Sequence, residues 1–316
     1  MYESTHFIVR VCPICAGDTE LFGYGVIAPF ISECSHMPRD QVTELLCCSA
    51  CDFQFFSIRY GPKELSSIYS AYRSPEYLRL RRSWEPWYSE RINDATSVEK
   101  SRIDRKKFMN LTLEDALPKE INCAVDFGGD EGQFFPDIQI NRRIVLDLSE
   151  HPLHDGVERI NSLGDLGDKR VDLVIVSHVL EHLTDPVQTL QDLHGVMSED
   201  GILYVEVPMD RFVTHSSLAK KPYRDRVRRY PSHKLIFIMR DFITGVSRQY
   251  RTKIPRWGVI KQSEHINYFS GTSVQRLLTK SGFLIVATAE DRNHKVGGAR
   301  FGRYGVTARR LPVNRS

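Results

Sequence analysis

The sequence predicts a mixed α/β fold: a doubly wound, mostly parallel sheet with an antiparallel edge pair, preceded by a small cysteine-rich module. Three observations carry that prediction. Short apolar runs alternate with helical periods after Pro118, a glycine turn "DFGGDEG" follows the first of those runs, and six of the seven cysteines fall between Cys12 and Cys51.

Residues 1–60 hold short apolar strings and paired cysteines, as in a small ribbon whose core needs a staple. From Gly61 onward Leu65, Ile68, Tyr69 and Tyr72 recur at helical spacing, and Ser74-Pro75 restarts a helix, so 61–118 reads as a mostly helical connector. In 119–316 the stretches "CAVDFGG", "RRIVLDLSE", "GVERIN", "VDLVIVSH" and "GILYVEVP" read as five successive strands. "DPVQTLQDLHGVM" puts Val187, Leu190, Leu193 and Val196/Met197 on one stripe of a helix, and the stretch after Gly132 is expected to open another. "SVQRLLTKSGF" predicts a helix closed by Gly282, with the edge pair supplied by the apolar residues after it and by "GRYGVTARRL". An insertion at about 209–262 leaves the fifth strand at its C-terminal end, where ligands of such sheets bind.

No apolar run reaches the roughly 18 to 20 residues of a membrane-spanning helix, and no basic-then-apolar secretory signal opens the chain, which places the protein in the cytosol. An odd number of cysteines there argues against a disulfide framework. The net charge of +3 hides an uneven distribution. Between Lys220 and Lys261 stand 13 Lys/Arg against Asp225 and Asp241, an excess of +11, while the rest of the chain carries −8. Such asymmetry points to an anionic partner.

The glycine turn lacks the G-x-G-x-x-G spacing that lets a pyrophosphate approach a helix N-terminus. It offers Asp126, Gly128, Gly129, Asp130, Glu131 and Gly132 instead, and acids there suit an ammonium or sulfonium ligand better than a phosphate. "VDFGGDEG" resembles the first motif of the class I S-adenosylmethionine-dependent methyltransferases. "VLDLSE", "VDLVIVSHVLEHLTDP", "LHGVMSEDGILYVEVP" and "EHINYFSGTSVQRLLTKSGF" resemble the segments that follow it, the last as in sugar C-methyltransferases. The resemblance spans about 119–290 and implies a Rossmann-like sheet with S-adenosylmethionine as cofactor. It implies that Asp126, Gly128, Gly129, Asp130 and Gly132 line the cofactor turn, with Asp130 standing where the family has a glycine. It further implies that Asp147 takes the ribose hydroxyls, that His178 and His182 flank the ligand edge, and that adenine is met near Asn161 to Asp165. A connector tyrosine near the cofactor is assigned to Tyr72. His265 is the candidate base with Glu264 orienting it, although Gln262 replaces the tyrosine of the sugar C-methyltransferases.

Cys12 and Cys15, with Cys48 and Cys51, form two C-x₂-C pairs suited to a structural tetrahedral Zn²⁺ site in a zinc-ribbon-like module, and the same relatives begin with such a module. The 32 residues between the pairs exceed the usual spacing; Cys34, His36 and Cys47 are substitute ligands, and buried free thiols are the metal-free alternative. The basic insertion fits three partners: an anionic small-molecule or glycan acceptor, an anionic membrane surface, or RNA backbone, for which its aromatic residues are sparse. The expected function is methyl transfer from S-adenosylmethionine to an anionic carbohydrate, such as a nucleotide-sugar or surface-polysaccharide precursor. An RNA methyltransferase and a catalytically silent binding module are the alternatives.

Overall fold

The computed structural model describes residues 5–70, 72, 74–93, 99–148, 151–293, 295–296, 299–300 and 302–312. The chain divides into two compact units, one of residues 1–95, 210–270 and 295–301, the other of residues 96–209, 271–294 and 302–316. The insertion therefore groups with the N-terminal segment, and the division does not follow the three sequence blocks 1–60, 61–118 and 119–316.

The second unit carries the α/β sheet. Its strands are β1 (Glu120–Phe127), β2 (Gln139–Leu146), β3 (Val157–Ile160), β4 (Val171–Ser177), β5 (Met197–Pro208), β6 (Phe283–Asp291) and β7 (Arg303–Arg310). They lie in the order β6-β7-β5-β4-β1-β2-β3. The first five are parallel, with Val125 beside Ile144 and Val174, whereas β7 runs antiparallel between β5 and β6. Leu173 through Val176 are buried without alternation, as in a parallel strand covered on both faces. Helix α1 (Glu99–Leu113) sets Met109 and Leu113 against Ala124, Leu173, Ile175, Ile202 and Tyr204. Asp185 caps α2 (Pro186–Val196) by accepting from the Gln188 amide, and α3 (Gly271–Lys280) ends before Gly282 at φ +90°.

One sequence expectation fails here. No helix follows Gly132: the chain runs from β1 to β2 through a loop. Pro136 restricts Phe135 away from helical angles and β2 begins by Gln139, so too few residues remain for a turn of helix.

In the first unit, Thr19–Ile27, Val42–Cys48 and Gln54–Phe56 form an antiparallel sheet whose two edges are closed by strands from after the basic segment: Lys261–Gln262 beside Val26 and Ile27, and Asn267–Tyr268 beside Gln54 and Phe55. Its core joins Phe30, Leu45 and Phe56 to Tyr223, Phe237 and Ile254. The N-terminal segment thus shares its interior with the later segment, which supplies 11 of the 25 buried residues of this core.

Candidate functional site

The glycine turn sits at the C-terminal end of β1. Gly128 adopts φ +74°, and a Cβ there would lie 2.4 Å from Val179 Cγ2. A Cβ on Gly129 would meet the Asp126 carboxylate at 2.3 to 2.4 Å, so only glycine lets the turn close over that acid. Asp126 is 2% exposed, and its Oδ2 finds no hydrogen-bond partner among the described residues. Burial pushes its pKa up to about 7, against the pull of Arg105, with Asp147 and Asp130 adding repulsion. A buried carboxylate oxygen without a partner beside a backbone turn fits a cationic group.

Asp147, just past β2, accepts from the Asp130 amide at 2.9 Å, tying the turn to the next strand. Asp130 itself is left-handed at φ +53°, and its carboxylate meets His151 Nδ1 at 2.7 Å, while Arg159 donates to its carbonyl at 3.2 Å. Gly132 is also left-handed, at φ +74°. Beyond β3, Asp165 accepts from the amides of Asn161 and Ser162, each at 2.9 Å, and these bonds hold its carboxyl below the usual range.

Next to this turn lies a buried polar network that sequence reading largely missed. Arg105 of α1 donates to Ser177 Oγ at 2.8 Å, Ser177 donates to Glu206 at 3.2 Å, and Tyr204 donates to the same oxygen at 2.9 Å. His178, left-handed at φ +57°, stands 3.2 Å from Glu206 and 3.3 Å from Glu181. Burial opposes its charge, but the two carboxylates raise its pKa. Burial likewise opposes ionisation of Glu206, yet His178, Arg105 and Arg303 hold its carboxyl well below the usual range. An acid inside the apolar run "YVEVP" was the available signal for Glu206; nothing distinguishes Arg105 among the cations of its helix.

In the first unit, His265 Nδ1 lies 3.3 Å from Asp210, whose carboxylate also receives Arg248 at 3.1 Å. Glu264, expected to orient His265, receives Tyr77 and Arg81, the latter at 2.7 Å; burial works against its charge, and Arg81 and Tyr77 keep its carboxyl low. Gln262 is fully buried, receiving Thr43 and donating to the Ile58 carbonyl, so it serves the sheet. Tyr72 packs its ring on Tyr69 and Tyr77, at 5.4 and 5.3 Å, within the aromatic cluster of this unit.

Cys12, Cys15, Cys48 and Cys51 converge, with Sγ–Sγ separations of 3.6 Å for Cys12–Cys51, 3.4 Å for Cys15–Cys48 and 3.6 Å for Cys15–Cys51. A tetrahedron with Zn–S bonds of about 2.3 Å has edges of about 3.8 Å, so the donor set fits Zn²⁺. Cys34, His36 and Cys47 do not join it: Cys47 faces Asp52 and Arg211, and His36 closes a helix at φ +58°. The basic segment forms an open cleft of about 430 Å³, lined by Arg226, Arg229, Tyr230, His233 and Arg240 with one acid, Asp225.

A family model described as a methyltransferase domain matches residues 101–288. No curated protein matches the chain by sequence. Among solved structures, the N-methyltransferase NodS of Bradyrhizobium japonicum in complex with S-adenosyl-L-homocysteine is 12% identical, with 68% of this chain and 89% of that one covered and a TM-score of 0.40. The 1,6-didemethyltoxoflavin-N1-methyltransferase of Burkholderia thailandensis is 13% identical over 86% of this chain and 96% of that one, with a TM-score of 0.46. A third, an S-adenosylmethionine-dependent methyltransferase of Mesorhizobium loti, is 16% identical over 63% and 95%, with a TM-score of 0.36. Because the family match covers well over half of the chain, the protein belongs to this methyltransferase-domain family, the class I S-adenosylmethionine-dependent methyltransferases.

Proposed function

We propose that the protein methylates an anionic carbohydrate, a nucleotide-linked sugar or a related surface-polysaccharide precursor. The observation that carries this reading is the open cleft in the basic segment, where Arg226, Arg229, His233 and Arg240 face a single acid. Guanidinium groups grip phosphate and carboxylate through paired N–H donors, so such a wall suits a diphosphate or uronate.

Asp126, Gly128, Gly129, Gly132 and Asp147 hold the cofactor in this reading. The buried Asp126 carboxylate complements its cationic end, and Asp147 receives its ribose hydroxyls while keeping the Asp130 amide in place. The Asp130 carboxylate is turned to His151, which supports a turn free to accept a ligand. When bound, the sulfonium supplies an electrophilic methyl whose leaving group is a neutral thioether. His265 acts as base, its Nδ1 set by Asp210, and accepts the acceptor's proton as the new methyl bond forms. The four cysteines hold a structural Zn²⁺ that ties the 12–15 and 48–51 turns together.

Calorimetric titration with S-adenosylmethionine tests the cofactor assignment: micromolar binding is expected, and loss of most of it in Asp147→Ala. Radiolabelled methyl transfer then tests the acceptor, with sugar nucleotides expected to accept and neutral sugars and RNA not. Transfer to RNA alone would sink the carbohydrate reading. Metal analysis should find one zinc per chain, absent from Cys48→Ser.

A further inference from the structure

The helix Lys234–Gln249 is built inside out. Its inward positions are Phe237, Asp241, Thr244 and Ser247, all buried. Asp241 takes a salt bridge from Lys261 at 2.5 Å, and Thr244 Oγ1 accepts from the Val259 amide at 3.0 Å, so polar anchoring holds this face. The outward positions are apolar: Leu235 is 82% exposed, Met239 55%, Phe242 51% and Val246 38%, spaced i, i+4, i+7 and i+11 on one stripe, with Ile236 and Tyr250 extending it. Surface helices show the opposite arrangement, and an apolar face this continuous marks a surface made for an apolar partner.

Charge identifies which partner. The stripe is bordered by exposed cations, Lys234 at the start of the helix and Arg251, Lys253 and Arg256 just past its end. Both acids of the segment lie off the stripe: Asp241 faces inward and Asp225 precedes the helix in the cleft wall. Tyr250 and Trp257, 72% and 43% exposed, add rings with a polar tip, which settle where hydrocarbon meets headgroups. No described helix is long and apolar enough to cross a membrane. Apolar face, cationic border and aromatic edge together match a helix lying in the plane of a bilayer surface.

We propose that the helix Lys234–Gln249 docks the protein on the surface of an anionic phospholipid bilayer, its apolar stripe among the upper acyl carbons and its flanking cations on lipid phosphates. This holds whichever acceptor is methylated. The test is co-sedimentation of the full chain with vesicles of phosphatidylcholine alone and of phosphatidylcholine mixed with phosphatidylglycerol. Binding is expected only to the mixed vesicles, and it should fall as salt rises. The triple variant Leu235→Ser/Met239→Ser/Tyr250→Ser should lower partitioning about tenfold or more, and Arg251→Glu/Lys253→Glu by a similar factor, with thermal melting unchanged because every altered residue is exposed. Failure to sediment with either vesicle, or equal binding to both, overturns the proposal. So does a dimer in light scattering that the triple variant dissociates, since a second copy would then be what covers the stripe.

Discussion

Two buried carboxylate settings, a charge network in the first unit and Asp126 in the second, are treated in opposite ways. In the first unit a continuous chain of charges runs from Glu264 to Arg81, on to Glu85, then to Lys261 and Asp241, with Arg81 also stacked 3.9 Å over the Tyr88 ring. Each anion there has a cation in contact, and the network ties the helix Pro75–Trp84 to the segment 241–264. In the second unit Asp126 is equally buried, yet one of its oxygens has no partner among the described residues. Its neighbour Glu206, two strands away, receives Tyr204, Ser177 and His178. Saturated charge holds a fold in place, whereas an unsatisfied one costs stability and is kept where a ligand completes it.

The largest break in this contrast comes from removing one cation of the saturated network. Lys261→Met leaves Glu85 and Asp241 facing each other without their shared partner, and should cost about 3–5 kcal/mol in urea unfolding. A much smaller loss would mean that water already screens the triad.

Asp126 should respond with the opposite sign. Its pKa is raised from 3.8 to about 7, so the folded protein binds this proton more tightly than the unfolded chain, and stability contributed by the protonated form is lost as pH rises through that window. Asp126→Asn should therefore remove roughly 2–4 kcal/mol of pH-dependent destabilisation between those limits. The cost is repaid on ligand binding: affinity for S-adenosylmethionine should climb about tenfold per pH unit below 7 and level off above it, and the climb should vanish in Asp126→Asn. A flat affinity profile in the unaltered protein would remove Asp126 from the cofactor site.

Smaller effects sharpen the comparison. Tyr204→Phe takes one of several bonds from Glu206 and should cost about 1 kcal/mol, since the remaining donors keep the carboxylate satisfied. Smallest is the edge pair Arg142–Glu158 at 2.8 Å: Glu158→Gln should change stability by less than about 1 kcal/mol, and added salt should erase even that.

The sheet was readable because its information is local. Apolar runs of strand length, the Asp185-Pro186 helix start and the Gly282 stop each act within a few residues, so β1 to β5, α2, α3 and the edge pair β6–β7 lie where periodicity places them. The glycine turn was readable for the same reason, down to Asp126 and Asp147. The helix expected after Gly132 failed on an equally local signal, Pro136, that the apolar pattern outweighed. The four cysteines converge as their pairing implied, even across a long intervening segment.

Partners far apart in sequence were a different matter. That Asp210 meets His265, that Arg105 reaches Ser177, and that Arg81 serves both Glu85 and Glu264 follow from which strands and helices become neighbours, which no spacing encodes. The sequence by itself determined a parallel α/β sheet, a glycine turn with a buried acid, two cysteine pairs and a strongly basic segment. Only the tertiary structure decided that residues 261–268 close both edges of the N-terminal sheet, and that the helix Lys234–Gln249 turns its polar side inward. The physical reason is that a helical period fixes which residues share a face, while the choice of the face to bury rests on the salt bridges and hydrogen bonds waiting for it, here Lys261 for Asp241 and Val259 for Thr244.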